Sequence, residues 1–309
     1  MPASAFVLRL GTRGSLLARA QSQLVANELQ RLHPGLRVEL VTVRTTGDRI
    51  TGRPLNEVGG KGLFTKEIDE ALVRGDLDMA VHSMKDLPTD LPVELCIAAV
   101  LPRADVRDAF ITTKATSLTD LPPGASVGTS SLRRQSQVRR LRPDLRVIDF
   151  RGNVETRLRK LDEGKADATL LALAGLERLG LASHATSILS TEEMLPAVAQ
   201  GAIGVTSRSD DAQTRALLEA LNDTRAATAV TCERAFLGRL DGSCKTPIAG
   251  LAEIDEGFLR FRGLILAPDG TEWHGIELTG AAEHAKSIGA DAGEELVARA
   301  GPDFLAKLA

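Results

Sequence analysis

Hydrophobic positions in the first part of the chain follow two spacings. Short apolar runs at residues 7–10 and 38–43 are typical of strands, and residues 15–32 between them carry leucine, valine and alanine at helical spacing. The same succession of a strand and an amphipathic helix recurs over residues 65–100 and again over residues 126–179. Strands that alternate with helices predict βαβ units and a mostly parallel sheet.

The pattern changes near residue 224. A predicted helix up to residue 240 is followed by three strand-like runs and then by terminal helices. Between the last two runs, residues 267–270 read Ala-Pro-Asp-Gly, which is the composition of a hairpin turn. Successive strands with helices at their ends favour a small C-terminal α+β domain with a three-stranded antiparallel sheet.

We therefore predict an α/β protein of three domains. Two similar, doubly wound α/β domains are expected to flank a cleft, and the small α+β domain follows them. The first domain is predicted to comprise residues 1–101 and 196–220, because the chain is expected to cross back into it. The second comprises residues 102–195 and the third residues 221–309.

Composition narrows the possible functions. The 309 residues include eight Phe, one Trp and no Tyr, so platforms that stack single-stranded nucleic acid are disfavoured. A net charge of −3 gives no general attraction to nucleic acid or to a membrane. The sequence has no signal-peptide pattern, and no apolar stretch approaches the roughly 20 residues of a membrane span. We expect a cytoplasmic protein, and the spacing of the three cysteines predicts neither a disulfide framework nor a metal site.

Residues 78–88 carry the first candidate for chemistry. An apolar run at residues 79–81 leads into a polar stretch that contains Ser83, Lys85 and Asp86. Open α/β sheets place their ligands at such strand ends, so we interpret Asp86 as a reactive carboxylate. A solvated turn is the alternative that this stretch alone leaves open.

Arginines recur at other predicted strand ends. Arg133 and Arg134 lie in a first helical turn, where positive charge opposes the helix dipole unless an anion is bound there. Arg13 and Arg151 each follow a predicted strand, and Arg157 comes one helical turn after Arg151. Any one of them could be a surface arginine, but together they favour a cleft for a polyanion. Neither a P-loop nor a G-x-G-x-x-G motif is present, so carboxylates are favoured over a nucleotide.

Cys244 is the cysteine best placed for a chemical role. It lies in an irregular loop beside Lys245, and a neighbouring cation can favour a reactive thiolate. No histidine lies nearby, so a Cys-His protease is not indicated. An idle surface thiol is the alternative.

Six motifs in order resemble the porphobilinogen deaminase (hydroxymethylbilane synthase) family. They are Val-Gly-Gly-Lys-Gly-Leu-Phe (58–64), Val-His-Ser-Met-Lys-Asp (81–86), Gly-Thr-Ser-Ser-Leu-Arg-Arg-Gln (128–135), Arg-Gly-Asn-Val-x-Thr-Arg-Leu (151–158), Ala-Gly-Leu-x-Arg-Leu-Gly (174–180) and Gly-x-Cys-x-x-Pro-Ile (242–248). The resemblance extends from Arg9 to about Gly250. It implies a monomeric transferase of tetrapyrrole biosynthesis whose two α/β domains are of the periplasmic-binding-protein type.

The resemblance also implies the reaction. Such an enzyme condenses four porphobilinogen molecules head to tail with loss of ammonia and releases linear hydroxymethylbilane by hydrolysis. Its partners are porphobilinogen and the oligopyrrole products. It carries a dipyrromethane cofactor in thioether linkage to a cysteine that matches Cys244, and its catalytic aspartate matches Asp86.

Further roles follow from matching positions. The residues expected to hold the cofactor are Ser83, Lys85, Thr129, Ser131, Arg133 and Arg134. The residues expected to hold the substrate and the growing chain are Arg13, Ser15, Gln21, Arg151, Arg157 and Arg178. No binding role is assigned to Glu57, which replaces a commonly basic residue, or to Gln200, which follows Ala199 where glycine is frequent.

A two-lobed anion-binding protein without catalysis is the alternative function. Such a receptor would be exported and would need neither Cys244 nor Asp86. A nucleic-acid regulator is a second alternative, but the net charge of −3 and the lack of a basic stripe disfavour it.

Overall fold

The computed structural model of the chain describes residues 7–49, 64–240 and 246–307. The chain divides into two compact units. The first comprises Met1–Arg103 and Ala202–Ala227, and the second comprises Ala104–Gly201 and Thr228–Ala309. The division into three domains stays a prediction. Within the described ranges, no helix combines the length and the apolar character needed to cross a membrane.

Strands and helices alternate over most of the described chain. The strands are β1 (Val7–Arg13), β2 (Arg37–Val43), β3 (Met79–Ser83), β4 (Leu95–Val100), β5 (Asp108–Thr112), β6 (Ser126–Gly128), β7 (Arg146–Ile148), β8 (Ala168–Ala172), β9 (Ser187–Ile188), β10 (Ile203–Arg208), β11 (Ile248–Asp255), β12 (Phe258–Leu266) and β13 (Trp273–Ala281). The helices are α1 (Leu16–Leu32), α2 (Thr46–Arg49), α3 (Lys66–Val73), α4 (Leu132–Leu141), α5 (Val154–Asp162), α6 (Leu173–Arg178), α7 (Ala212–Glu219), α8 (Thr224–Arg239) and α9 (Ala285–Ala306). The hydrophobic pattern does not predict β5 or β9.

The first unit contains a five-stranded sheet in the order β2-β1-β3-β10-β4. β1 runs parallel to β2 and β3, whereas β10 is antiparallel to its neighbours β3 and β4. A later part of the chain, residues 203–208, thus supplies β10 to this sheet. Helix α1 buries Val25 and Leu29 in the same apolar cluster as Leu8 and Leu10 of β1, which is the face that its helical spacing predicts.

The second unit repeats this arrangement in the order β7-β6-β8-β5-β9. β6 is parallel to β7 and β8, and β5 is antiparallel to β8 and β9. Phe110 of β5, Val127 of β6 and Leu170 of β8 are fully buried in one cluster. Each five-stranded sheet is thus mixed, because four strands run in one direction and a single strand is reversed, so the prediction of mostly parallel α/β sheets is confirmed.

The second unit also contains the predicted three-stranded antiparallel sheet. Its order is β11-β12-β13, and both strand pairs are in continuous register. Phe236 of α8 packs on Phe261 of β12 with ring centroids 4.8 Å apart. The predicted turn between β12 and β13 closes with a hydrogen bond from Gly270 N–H to the Ala267 carbonyl oxygen, 2.9 Å long. Gly270 has a φ of 77°, a conformation that glycine adopts without strain.

β10 supports the residues that follow β3. The Met84 N–H donates to the Ala202 carbonyl oxygen at 3.0 Å, and the Met84 side chain lies over Gly204. A Cβ atom on Gly204 would overlap the Met84 Sδ. Packing therefore requires glycine at this position of β10.

We expect Gly204→Ala to lower the free energy of unfolding by about 1–3 kcal/mol, because the added methyl group forces Met84 out of a close-packed site. Urea unfolding of the purified chain measures the change. The matched control is Gly275→Ala in β13, where the nearest atom to the new Cβ would be 3.5 Å away. Equal losses in the two variants would contradict the packing argument.

Candidate functional site

In the first unit, predicted site residues lie where parallel strands end. Arg13 is the last residue of β1 and Ser83 is the last residue of β3. Gln21 of α1 is buried, and the Ser83 Oγ lies 3.1 Å from both its Nε2 and its Oε1. This contact joins α1 to the end of β3. The Arg13 guanidinium lies 4.2 Å above the ring centroid of Phe64, within the range of a cation–π interaction.

Ser15, which is predicted to bind substrate, has a structural role as well. Its side chain caps α1, because the Oγ accepts a hydrogen bond of 3.3 Å from the Ala18 N–H. An N-cap serine satisfies a backbone donor that the helix itself leaves without an acceptor.

Asp86 ends a single 3-10 turn, Met84–Asp86, that directly follows β3. Met84 is buried and anchors the turn, whereas Asp86 is exposed and Lys85 is half-buried. The strand itself continues through His82 and Ser83, two residues beyond the predicted apolar run. The turn therefore holds the backbone firmly and presents the Asp86 carboxylate to solvent.

His82 is a buried neutral side chain beneath this turn. Its Nε2 lies 3.0 Å from the Thr206 Oγ1 of β10. Burial lowers the pKa of His82 to about 4, and the positive charge of Arg13 acts in the same direction. His82 is thus uncharged near neutral pH and contributes to the packing of β3 on β10.

The second unit contains a buried cluster of charges at the corresponding sheet edge. Asp108 begins β5 and pairs with Ala172 at the end of β8, so its carboxylate lies where the parallel strands end. Its Oδ2 accepts from Arg133 Nη2 at 2.8 Å, and its Oδ1 accepts from Arg134 Nη2 at 2.7 Å. Asp108 is 0% exposed, and the two arginines are 4% and 5% exposed.

Neighbouring groups complete the ion cluster. Gln200 Nε2 donates to the Asp108 Oδ1 at 2.9 Å and to the Val106 carbonyl oxygen at 2.8 Å. Burial by itself would raise the pKa of Asp108, but the charges of Arg133 and Arg134, with hydrogen bonds from Arg134 and Gln200, lower it well below its usual range. Burial lowers the pKa of Arg133, and Asp108 opposes that shift.

The cluster retains one net positive charge, because two guanidinium groups face one carboxylate. Within the part of the chain that the structure describes, neither the Arg133 Nε nor the Arg134 Nε has a hydrogen-bond partner, and both atoms are buried. A buried donor without an acceptor is costly. These two N–H groups are therefore suited to an anionic ligand such as a carboxylate.

Polar residues in the loops after β6 and β7 lie at the same edge. Thr129 is buried directly after β6, and its Oγ1 accepts from the Ser131 N–H at 3.3 Å. Ser131 is the N-cap residue of α4, which starts with the two clustered arginines. After β7, the buried Nη1 of Arg151 has no hydrogen-bond partner among the described residues. Arg157 Nε donates to the Gly152 carbonyl oxygen at 2.8 Å.

Arg178 ends α6, the helix that follows β8. Its Nη2 donates to the Gly201 carbonyl oxygen at 2.6 Å, and burial lowers its pKa. All seven predicted residues of the second unit that the structure describes thus lie on segments that follow β6, β7 or β8.

The sequence patterns do not identify Asp108, and they assign no role to Gln200. The sequence feature that could have identified Asp108 is its position directly before the apolar run Ala-Phe-Ile, residues 109–111. Ala199, the residue before Gln200, has a φ of 60°, a conformation that glycine adopts at less cost. Its N–H donates to the buried Glu233 carboxylate at 2.5 Å, which helps to hold this backbone in place.

Several sequence candidates lie outside the described residues. They are Glu57, all but the last residue of the motif at 58–64, and the first four residues of the motif at 242–248, which include Cys244 and Lys245. The cysteines that the structure describes, Cys96 and Cys232, form no disulfide. Burial raises the pKa of Cys232 to about 12, as does the charge of Glu233, so this thiol is unreactive. No group of three or more His, Cys, Asp or Glu in the described ranges could hold a metal ion.

Two family models match the chain. The model described as "Porphobilinogen deaminase, dipyromethane cofactor binding domain" matches residues 8–216, and "Porphobilinogen deaminase, C-terminal domain" matches residues 227–298. The porphobilinogen deaminase of Nitrobacter hamburgensis is 56% identical over 96% of this chain and 94% of its own length. That of Paracoccus denitrificans is 53% identical over 98% of both chains, and the chloroplastic enzyme of Pisum sativum is 55% identical over 96% of this chain and 83% of its own.

Solved structures show a more distant likeness. A periplasmic substrate-binding protein of an ABC transporter from Coxiella burnetii has a TM-score of 0.45 and 16% identity. The match covers 74% of this chain and 96% of that one.

The buried His82 predicts a specific pH dependence of stability. The pKa of His82 is about 4 in the folded chain, below the ordinary 6.5. The stability that depends on a neutral His82 is therefore complete above pH 6.5 and is lost as the pH falls toward 4. Between pH 7 and pH 4 the native chain should lose roughly 3 kcal/mol more unfolding free energy than His82→Gln, as 1.36 kcal/mol per pKa unit requires. Urea unfolding at stepped pH measures both profiles, and parallel profiles would refute the assignment.

Proposed function

The chain belongs to the porphobilinogen deaminase family, and from this premise we propose which of its residues perform the family's reaction. Its activity is that of a hydroxymethylbilane synthase, a transferase of tetrapyrrole biosynthesis. Four porphobilinogen molecules are condensed head to tail with loss of ammonia, and linear hydroxymethylbilane is released by hydrolysis. Membership of this family excludes the alternative of an anion-binding protein without catalysis.

The buried arginine cluster is the observation that best supports a site for the dipyrromethane cofactor. When bound, this group supplies the primer to which substrate pyrroles are joined. Each pyrrole derived from porphobilinogen carries an acetate and a propionate, so the group is a polycarboxylate. The Nε donors of Arg133 and Arg134 are buried and lack a partner among the described residues, and the cluster keeps a positive charge. The residues therefore fit the group.

Four further residues are proposed as members of the cofactor site. Thr129 and Ser131 precede the two arginines at the start of α4, and Ser83 and Lys85 lie at the end of β3 and in the turn after it. We propose that Cys244 is the covalent attachment point. Short polar side chains beside cationic ones supply both the hydrogen bonds and the charge that carboxylates require.

A separate set is proposed to bind porphobilinogen and the lengthening product. Its members are Arg13, Ser15, Gln21, Arg151, Arg157 and Arg178. The buried Arg151 Nη1, which has no partner among the described residues, and the half-buried Arg178 support this role, because both are cationic side chains on segments that follow strands of one sheet. Anionic substrate groups would satisfy such donors.

Asp86 is the proposed catalytic residue. Its exposed carboxylate would accept hydrogen bonds from pyrrole N–H groups and would stabilise the cation that forms when ammonia leaves porphobilinogen. At 4 Å, the attraction between two unit charges is about 1 kcal/mol in water and about 4 kcal/mol at an effective dielectric constant of 20. The carboxylate therefore acts strongly only when the bound substrate excludes water around it.

We also propose that the enzyme acts as a cytoplasmic monomer without nucleic-acid or membrane partners. The free thiols of Cys96 and Cys232 support a reducing compartment. The net charge of −3 supports the absence of a nucleic-acid or membrane partner.

Intact mass tests the proposed attachment at Cys244. The purified native chain should be heavier than its sequence by one dipyrromethane, and Cys244→Ala should lose this excess because no thioether can form. Cys96→Ala, which changes a half-buried cysteine elsewhere, is the control and should keep the excess. A fully active chain of unmodified mass would exclude covalent attachment.

Asp86→Asn separates binding from catalysis. The variant should retain the mass of the cofactor, yet its turnover should fall roughly 100-fold or more, the size of effect seen when one electrostatic contact to a transition state is removed. Steady-state release of hydroxymethylbilane measures the change. Asp90→Asn, at an exposed aspartate four positions later, is the control and should leave turnover unchanged. Normal turnover in Asp86→Asn would disprove the catalytic assignment.

A further inference from the structure

We propose that Asp108, with Gln200 behind it, is a positioning residue that holds Arg133 and Arg134 ready for an anionic ligand. Asp108 lies outside the six motifs that identify the family. The inference rests on the proposed cofactor-binding role of the two arginines and adds the residue that determines their geometry and their net charge.

The geometry of Asp108 links both guanidinium groups through one carboxylate. Oδ2 accepts from Arg133 and Oδ1 accepts from Arg134, so each oxygen fixes one side chain. The remaining terminal nitrogens are fixed by backbone, because Arg133 Nη1 donates to the Leu195 carbonyl oxygen at 2.8 Å and Arg134 Nη1 donates to the Leu170 carbonyl oxygen at 3.0 Å. Both terminal nitrogens of each arginine are thus engaged, and the Nε groups are left for a ligand.

The charge of Asp108 is as important as its hydrogen bonds. Two adjacent guanidinium groups buried without a counter-ion would repel each other and would lose their hydration. One carboxylate removes most of that cost and leaves a single positive charge in the cluster. A second carboxylate would cancel that charge and with it the attraction for an anion.

Gln200 supports this balance because its side chain is neutral. Its amide fixes the Asp108 Oδ1 at 2.9 Å and is itself held by the Val106 carbonyl oxygen. Asp108 and Gln200 are therefore neighbours that carry one negative charge between them. Exchanging the carboxylate and the amide changes the position of that charge and leaves its amount unchanged.

Three variants test the charge balance. Asp108→Asn gives the cluster a net charge of +2, Gln200→Glu gives zero, and the double variant restores +1 with the carboxylate moved by one side chain. The readout is the rate at which cofactor-free chain gains the mass of the cofactor during incubation with porphobilinogen. Each single variant should load on the order of 100-fold more slowly, as expected when the charge of a buried network is changed by one unit.

The double variant is the decisive measurement. It should load at least roughly tenfold faster than either single variant, because neighbouring charges are energetically coupled. Normal loading in both single variants would overturn the proposal. A double variant no faster than the slower single variant would also overturn it, because a purely structural Asp108 would show no rescue by charge.

Two controls guard against loss of the fold. Asp144→Asn breaks the ion pair with Arg142 near the other end of α4 and should load like the native chain. If Asp108→Asn fails to fold, Gln200→Glu is compared with Gln200→Met, which removes the same amide without adding charge. Glu should slow loading more than Met, and equal effects would overturn the proposal.

Arg133→Lys and Arg134→Lys distinguish this inference from the proposed function. Normal loading in both lysine variants would refute the cofactor-binding role of the arginines themselves. Slow loading in those variants with normal loading in Asp108→Asn would refute only the positioning role.

Discussion

The second unit depends on one physical constraint. Positive charge must be kept in its interior, and the chain's own carboxylate must neutralise that charge only in part. An acidic chain that binds a polyanion cannot rely on its overall charge, because a net charge of −3 repels such a ligand weakly at long range. The attraction has to come from a local excess. In the proposed cofactor site, Arg133, Arg134 and Asp108 would supply this excess, because the three charged groups are buried in hydrogen-bond contact and leave a net charge of +1.

The reversed strand in each sheet contributes its first residue to the edge at which the parallel strands end. β5 begins at Asp108, opposite Ala172 at the end of β8. In the first unit β10 begins at Ile203, opposite Ser83 at the end of β3. An antiparallel neighbour brings its first residue to the edge where the parallel strands finish. In the first unit, β10 comes from a later part of the chain than β1 and β3. In the second unit, β5 comes from an earlier part than β6, β7 and β8. Each reversed strand thereby adds its first residue to the edge that carries proposed site residues.

Most helices and strands could be predicted from the sequence because the residues that specify them lie close together in the chain. The helical spacing of residues 15–32 identifies α1, and the motifs identify the segments that carry Asp86 and Arg133. The strand β5 was not predictable in this way, because its identity as a strand depends on pairing with β8, which is distant in sequence. Asp108 was missed for a related reason: a carboxylate is ordinarily placed on the surface, and only the fold shows that two arginines cover it. The sequence argument that clustered arginines in a first helical turn need an anion is consistent with the structure, in which Asp108 is an anion supplied by the chain itself.

Asp86 and Asp108 show how one side chain can serve opposite purposes at equivalent sheet edges. Asp108 is buried, and its charge is already used by two arginines, so it organises its neighbours and is unavailable for chemistry. Asp86 is exposed at the end of a turn anchored by Met84, so its carboxylate is hydrated before a ligand arrives. An attraction of about 1 kcal/mol in water cannot drive a difficult step, whereas several kcal/mol in a water-excluded site can contribute substantially. In the proposed mechanism, the substrate that covers Asp86 must therefore displace this water itself, and binding of the pyrrole becomes a physical condition for stabilising the cation that follows.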